Sequence, residues 1–507
     1  MNRFKKVGAV VLIIIINILV FGIIPLNVLL IWKDFPQWIM IIASVVDIAI
    51  VLLLARKTFS GKAAKIIAVT ITCVFTVICV LFVYACPYWN SDGHKSDRPI
   101  HYYENSDLTK KEALDDLEEV MDYLRKYHIS FTDGLTTEVQ AKYEEVRADF
   151  ESKDTVKRIE LIRGVRSILH EINDAHTSFN SWDPLLLSDD PEMMSKGYCI
   201  YSVNGMTEDK LKELVEPYYS YETPRFISVN MKNLFYLDLC GVEAPYEVVW
   251  KNEDGDEESR TYSREDFITA DEYYNLQDKY LPSDNSNDDY VYYEIDEEKS
   301  LAILTLKRCW TSDHYRDVLR EMFTEINTKK IKNLAIDLRG NGGGDTYVVN
   351  ELFKYLPIDE YYQVDDFRKI RWNYITFDFD QGGKTKNKRV AELEFDGNLY
   401  VLTDVGTFSA AMVFTEMIVD NGLGKVIGES PAESCNSCGE ITQFYFEDIG
   451  MWLSVSTDYS TRIDASKGDY IESDYPCKGE EAIETLYGIV SENYPTMKRI
   501  LPNMRKG

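Results

Sequence analysis

The stretch that decides the fold is Leu334-Ala335-Ile336-Asp337-Leu338-Arg339-Gly340-Asn341-Gly342-Gly343-Gly344, followed by Tyr347–Tyr355. An apolar run of strand length ends in a glycine-rich turn that opens a helix. Glycines bend the chain sharply and turn backbone N–H groups towards a ligand. The spacing does not fit a dinucleotide-binding loop, and no Walker lysine follows.

Outward from this point, strands and helices alternate. Leu301–Leu306 reads as a strand and Asp313–Thr328 as a helix. Leu399–Thr403 is a strand, Ser409–Val419 a helix, and Lys425–Ile427, Ile441–Phe446 and Met451–Ser456 are further strands. This is the pattern of an α/β sheet with crossover connections. A second decorated strand end, Gly406-Thr407-Phe408-Ser409-Ala410-Ala411, places Ser409 at a strand-to-helix junction. There a serine serves either as an N-cap or as a nucleophile beside a free backbone N–H. Two such strand ends in one sheet point to a nucleophile with a backbone oxyanion hole. Of the six histidines, His176, in Asn173-Asp174-Ala175-His176-Thr177, lies at a predicted helix end.

Before the core come two other regions. Leu114, Leu117, Val120, Met121 and Leu124 recur at helical spacing, and helices are also predicted over 139–151 and 156–172. Residues 198–275 read as β-rich, with a strand at Tyr198–Val203, a short helix at Lys210–Val215, and a strand at Tyr246–Trp250 before a Glu253–Asp256 turn.

The chain of 507 residues carries a net charge of −29, but this is unevenly distributed. Residues 1–90 hold eight basic and two acidic residues, net +6, leaving 47 basic and 82 acidic residues, net −35, in the other 417. So acidic a body does not bind nucleic acid through bulk electrostatics. The front end has uncharged runs at Val7–Trp32 and Ile66–Tyr84, and between them Phe35–Ala55 is apolar except for Asp47. Each is near the ~20 residues that span a bilayer as a helix. Three membrane helices are therefore expected, with the N-terminus cytoplasmic by its basic residues and the acidic body outside the cell. Asp47 is expected to be protonated and hydrogen-bonded to a neighbouring helix. Outside, Cys435-x-x-Cys438 is compatible with a short-loop disulfide or with free buried thiols; no second CxxC supports zinc.

The strand and glycine turn at Ala335–Gly344, Thr407-Phe408-Ser409-Ala410-Ala411, Val426-Ile427-Gly428-Glu429 and Asp174-Ala175-His176-Thr177 together resemble the carboxyl-terminal processing (tail-specific) serine peptidases. The likeness is closest to the branch that includes the tricorn protease core, and Tyr127-His128 is similar to that branch's helical domain. The resemblance runs from about 109 to 478. It implies a ClpP/crotonase-like α/β core at 291–507, a helical subdomain at 109–180 and a PDZ-like substrate-binding insertion at 181–290. These follow a membrane anchor at 1–86 and a stalk at 87–108.

By the same resemblance, Ser409 is the nucleophile, with Ala410 and Gly342 or Gly343 as oxyanion donors. The Ser-Lys branch draws its base from a lysine after Val-Ile-Gly-Glu, but Ser430–Gly439 contains none, so the base is His176. Glu472, in the degraded motif Glu472-Ser473-Asp474-Tyr475-Pro476-Cys477, is the expected third member, with Asp464 or Asp469 as substitutes; the family's common Glu three residues after the nucleophile is Met412 here. The expected substrate is a peptide or protein, with no metal or organic cofactor required. A catalytically silent peptide sensor on the same fold is the competing function. An acyl-CoA enzyme of crotonase type fits the fold but not the Ser/His pair.

Overall fold

The computed structural model describes residues 37–58, 61–85, 107–180, 190–227, 290–364, 368–378, 384–446 and 449–491, most of 237–263 and scattered positions elsewhere. The first expected membrane span and the stalk lie almost wholly outside the described residues. The second and third expected spans are helices, α1 (Gln37–Thr58) and α2 (Lys62–Ala85). Among the described residues no helix is long and apolar enough to cross a membrane, so three spans are not supported. Asp47 on α1 is 1 % exposed, and neither carboxyl oxygen has a hydrogen-bond partner, contrary to the expected interhelical bond.

The helical region opens with β1 (Asp107–Thr109), which pairs with β2 (Thr155–Lys157), and contains α3 (Lys110–Tyr127), α4 (Thr137–Glu151) and α5 (Arg158–His170). Thr109 and Glu112 form a reciprocal capping box that starts α3. Its buried face, Leu117, Val120, Met121 and Leu124, follows the predicted spacing. The sequence expectation merged β2 and α5 into one helix. The Thr155-Val156-Lys157 segment instead pairs with β1 and so precedes the first helical turn.

After β3 (Ser178–Asn180) come the short helix α6 (Pro191–Ser195) and a three-stranded antiparallel sheet, order β4-β5-β6. Its strands are β4 (Cys199–Val203), β5 (Tyr246–Lys251) and β6 (Glu257–Tyr262), with α7 (Glu208–Val215) between the first two. The helical region and this sheet share one apolar core, which also takes in Phe444, Phe446, Met451 and Leu453.

The α/β core is a six-stranded sheet. Its elements in chain order are β7 (Val291–Asp296), β8 (Leu301–Leu306), α8 (Asp313–Lys329), β9 (Asn333–Asp337) and α9 (Val348–Phe353). The short pair β10 (Glu360–Tyr361) and β13 (Thr385–Lys386) brackets a hairpin, β11 (Arg368–Trp372) and β12 (Ile375–Asp378). Then follow β14 (Asn398–Thr403), α10 (Ala410–Asp420), β15 (Lys425–Gly428), β16 (Ser437–Phe446), β17 (Met451–Ser460), β18 (Tyr475–Pro476) and α11 (Ala482–Ser491).

The strand order is β18-β15-β14-β9-β8-β7, parallel except for β7 on β8. A parallel sheet covered on both faces needs continuous apolar strands, and all five residues of β9 are buried. β9 and β14 are adjacent, so the glycine turn and the Ser409 turn emerge side by side at the carboxyl ends of neighbouring strands. A second sheet, β12-β11-β17-β16, takes in β3 against β17 through Ser178↔Ser454. That pairing holds the segment carrying His176 against the core.

Candidate active site

Ser409 sits immediately before α10 at φ 53° and ψ −124°. For a residue with a Cβ this is a strained conformation. Its hydroxyl makes no cap hydrogen bond, so Ser409 is not serving as an ordinary N-cap.

The surrounding loops fix the bend. Thr407 Oγ1 donates to Leu338 O at 2.9 Å, and Phe408 N–H donates to Asn341 O at 2.9 Å. Asn341 is fully buried; its Nδ2 donates to Leu306 O at 2.7 Å, and its Oδ1 accepts the Gly343 N–H at 2.9 Å. Gly343 has φ +100°, and a Cβ there would lie 2.7 Å from Ser409 Cβ and 2.9 Å from Ala410 N. Only glycine lets the two loops approach this closely.

The expected oxyanion donors therefore separate. Gly343 N–H is already engaged by Asn341, so Gly343 shapes the bend and is not a free donor. Ala410 N–H belongs to the first turn of α10 and has no partner within the helix. Ala410 and Gly342 line one cavity of about 610 Å³ together with Ser409, His176, Phe408, Met412 and Glu433.

His176 reaches this cavity from the turn after α5. Asp174 Oδ1 accepts the His176 backbone N–H at 2.9 Å, closing a local Asx-type turn. The imidazole stacks on Phe408, with ring centroids 4.6 Å apart. Its Nδ1 is buried without a hydrogen-bond partner and lies 3.9 Å from both Asp174 Oδ1 and Glu433 Oε1. Burial lowers the His176 pKa, against the opposing charge of Asp174, which favours the neutral imidazole a general base requires. No hydrogen bond joins Ser409 Oγ to His176 in this structure.

Asp174 is 1 % exposed and is held by a buried network. Its Oδ2 accepts from His128 Nε2 at 3.0 Å and from Thr177 Oγ1 at 2.5 Å. His128 Nδ1 accepts the Ser130 N–H at 3.2 Å, which leaves the ring proton on Nε2. Burial pushes the Asp174 carboxyl up, but the His128 hydrogen bond and its other partners outweigh this and hold it well below the usual range. Two metal-ligand-like groups meet here, His128–Asp174–Cys438 and Asp174–His176–Glu222. Asp174 belongs to both, and its oxygens are accounted for by hydrogen bonds. Cys435 and Cys438 are free, buried thiols, so the open question of their bridge is answered by the unbridged alternative.

Glu472 is not brought to His176. It is exposed and lines a separate cavity with Lys467 and Tyr470. The Asp469 substitute is held elsewhere by Asn436, and the Asp464 substitute by Ser466. The carboxyls that approach His176 Nδ1 are Asp174 and Glu433, neither of which the sequence reading assigned. Asp174 stands within the quoted motif, whereas Glu433 lies in the Ser430–Gly439 stretch, which carries no local signal for a carboxyl beside His176.

Residues 300–472 match the model of peptidase family S41. This range takes in most of the α/β core. The matched range includes Ser409 and Glu433 and leaves out His176. Among solved structures, mature CPAF is similar at 10 % identity and TM-score 0.51, covering 76 % of this chain and 99 % of its own. A CPAF mutant has a TM-score of 0.53 at 10 % identity, covering 77 % and 99 %. The photosystem II D1 C-terminal processing protease is similar at 14 % identity and TM-score 0.39, covering 75 % and 98 %. For the two CPAF structures, at these identities, the likeness concerns the fold alone. A search of curated protein sequences returns no match. The match supports the expected enzyme class, a serine-type peptidase.

Proposed function

We propose that the protein hydrolyses peptide bonds with Ser409 as nucleophile and His176 as general base, Ala410 and Gly342 supplying the oxyanion N–H groups. The observation that carries this reading is the strained Ser409 bend, which opens into the same cavity as His176, Gly342 and Ala410. Ser409 Oγ attacks the substrate carbonyl carbon while its proton passes to His176 Nε2. The tetrahedral oxyanion is held by the backbone N–H groups, each worth on the order of 3 kcal/mol in the transition state. The C–N bond then breaks, and His176 returns the proton to the leaving amine. Water, deprotonated by the same imidazole, cleaves the acyl-enzyme.

The front end supports a location at the cell membrane, with the N-terminus cytoplasmic and the acidic body outside. The support is the basic residues that flank its apolar runs, and the exposed Ile, Leu and Val side chains of α1 and α2. Carbonate extraction of cell membranes tests this: retention in the pellet agrees, and release to the supernatant contradicts it.

The chemistry is tested by treating the full-length chain with a fluorophosphonate and mapping the adduct by peptide mass spectrometry. Modification of Ser409, absent from His176→Ala, is expected. A modified serine elsewhere with Ser409 untouched contradicts the assignment.

A further inference from the structure

One carboxyl group touches the Ser409 peptide and approaches the His176 ring. Glu433 is 1 % exposed. Its Oε2 accepts the Ser409 backbone N–H. Its Oε1 accepts from Ser437 Oγ at 3.1 Å and lies 3.9 Å from His176 Nδ1. Nδ1 is buried and has no hydrogen-bond partner, a costly state for a polar atom unless a partner comes within reach during the reaction.

Asp174 Oδ1 is equally far from Nδ1 but is tied to the His176 backbone N–H. It cannot advance on the ring without opening the turn that sets the ring's position. Its Oδ2 is held by His128 and Thr177. Glu433 comes from the separate loop between β15 and β16. Closing its gap by about 1 Å brings Oε1 to hydrogen-bond distance.

We propose that Glu433 is a positioning residue that selects the tautomer of His176 and so gates the activity of Ser409. As a carboxylate, its Oε1 accepts the Nδ1–H, which keeps Nε2 unprotonated and ready to take the Ser409 proton. It also stabilises the imidazolium formed at that step. As a neutral acid, its proton lies between Oε1 and its neighbours, and the acceptor for Nδ1–H is withdrawn. The inference rests on the serine-peptidase reading of Ser409 and His176.

The groups around Glu433 set the sign of the pH dependence. Asp174, Glu222, His176 and the Cys435 thiol act on it or lie beside it. Burial, then the charge of Glu222, push the Glu433 carboxyl well above the usual carboxylate range. Burial, then the charge of Asp174, raise Glu222 to about 8. Burial lowers His176, and burial raises Cys435. Ionisation of Glu433 therefore switches activity on from the alkaline side.

The test is the rate of fluorophosphonate modification of Ser409 in the full-length chain between pH 6 and 10, alongside thermal melting to confirm folding. In the wild type the rate is expected to rise ~10-fold per pH unit along the limb below the Glu433 pKa. Glu433→Gln is expected to lose that limb. Glu222→Gln, which removes a neighbouring negative charge, is expected to shift it to lower pH, and Glu433→Asp to keep a weaker limb. A wild type without an alkaline limb, or a Glu433→Gln enzyme that retains it, overturns the proposal. If Glu433→Gln does not fold, a limb unmoved by both Glu222→Gln and Glu433→Asp does so. Failure of the wild type to be modified at Ser409 at any pH defeats the peptidase reading itself. That result is distinct from modification with an unchanged pH profile.

Discussion

Gly343 passes so close to Ser409 that a Cβ on the glycine would lie 2.7 Å from the serine Cβ. The same atom would stand 2.9 Å from Ala410 N, a backbone atom that cannot swing aside. The two decorated strand ends are thus packed into one device, with Asn341 as the pin between them. Gly343→Ala is expected to displace the Ser409 bend and reduce kcat/KM at least ~100-fold. Steady-state kinetics on a folded variant, checked by thermal melting, measure this. Near-wild-type turnover would show that the close approach is not needed.

His128 lies on the far side of the site and is fully buried. Its proton on Nε2 holds Asp174, which in turn holds the His176 backbone. His128→Leu leaves Asp174 without that donor in a buried setting, and is expected to cost about 2–3 kcal/mol of stability and to lower kcat. Denaturant melts and kinetics on one preparation check both. Lost stability with unchanged kcat would separate His128 from the positioning of His176.

Glu416 offers a test of stability against pH. It is 1 % exposed, its Oε1 accepts the Ile463 N–H at 2.9 Å, and Oε2 is buried without a partner. Burial raises its pKa to about 8. Between the unfolded carboxylate value and about 8, the folded chain keeps a proton that the unfolded chain releases. Its contribution to stability therefore falls as pH rises through that window. Glu416→Gln is expected to flatten this fall by up to about 1 kcal/mol per pH unit. Urea melts at pH 5, 6.5 and 8 read the difference, and parallel slopes for the two proteins would contradict it.

Beside Glu416, Arg462 makes a two-pronged, fully buried pair with Asp420 at 3.0 and 3.1 Å and donates to the carbonyls of Lys467, Gly468 and Tyr470. Removing Arg462 leaves the buried Asp420 with the Lys467 ammonium, at 3.2 Å, as its counter-charge. Arg462→Met alone is expected to cost about 3–5 kcal/mol, and Arg462→Met with Asp420→Leu less than the single change. Denaturant melts of both variants decide it, and equal losses would mean the pair is not the unit.

Which parts were legible follows from how local each signal is. The parallel strands read clearly because strands buried on both faces must be continuously apolar, as in Leu334-Ala335-Ile336. Ser409 and His176 stood in short motifs beside strand and helix ends. The β11–β12 hairpin was missed because its two-residue turn, Asn373-Tyr374, takes positive φ at both positions without the glycine that marks such turns. β7 was missed because it is an edge strand in which Val291 is the one buried residue, so it carries no apolar run. Glu472 misled because it lies near a familiar motif, whereas the carboxyl beside His176 is set by how the Glu433 loop folds beneath Ser409. That is a tertiary relationship with no local pattern.

The most direct measurement is hydrolysis of unfolded casein by the purified full-length chain and by its Ser409→Ala variant under the same conditions. The account predicts cleavage by the wild type and none by the variant, although the variant melts at a similar temperature. Cleavage that persists in Ser409→Ala would contradict it.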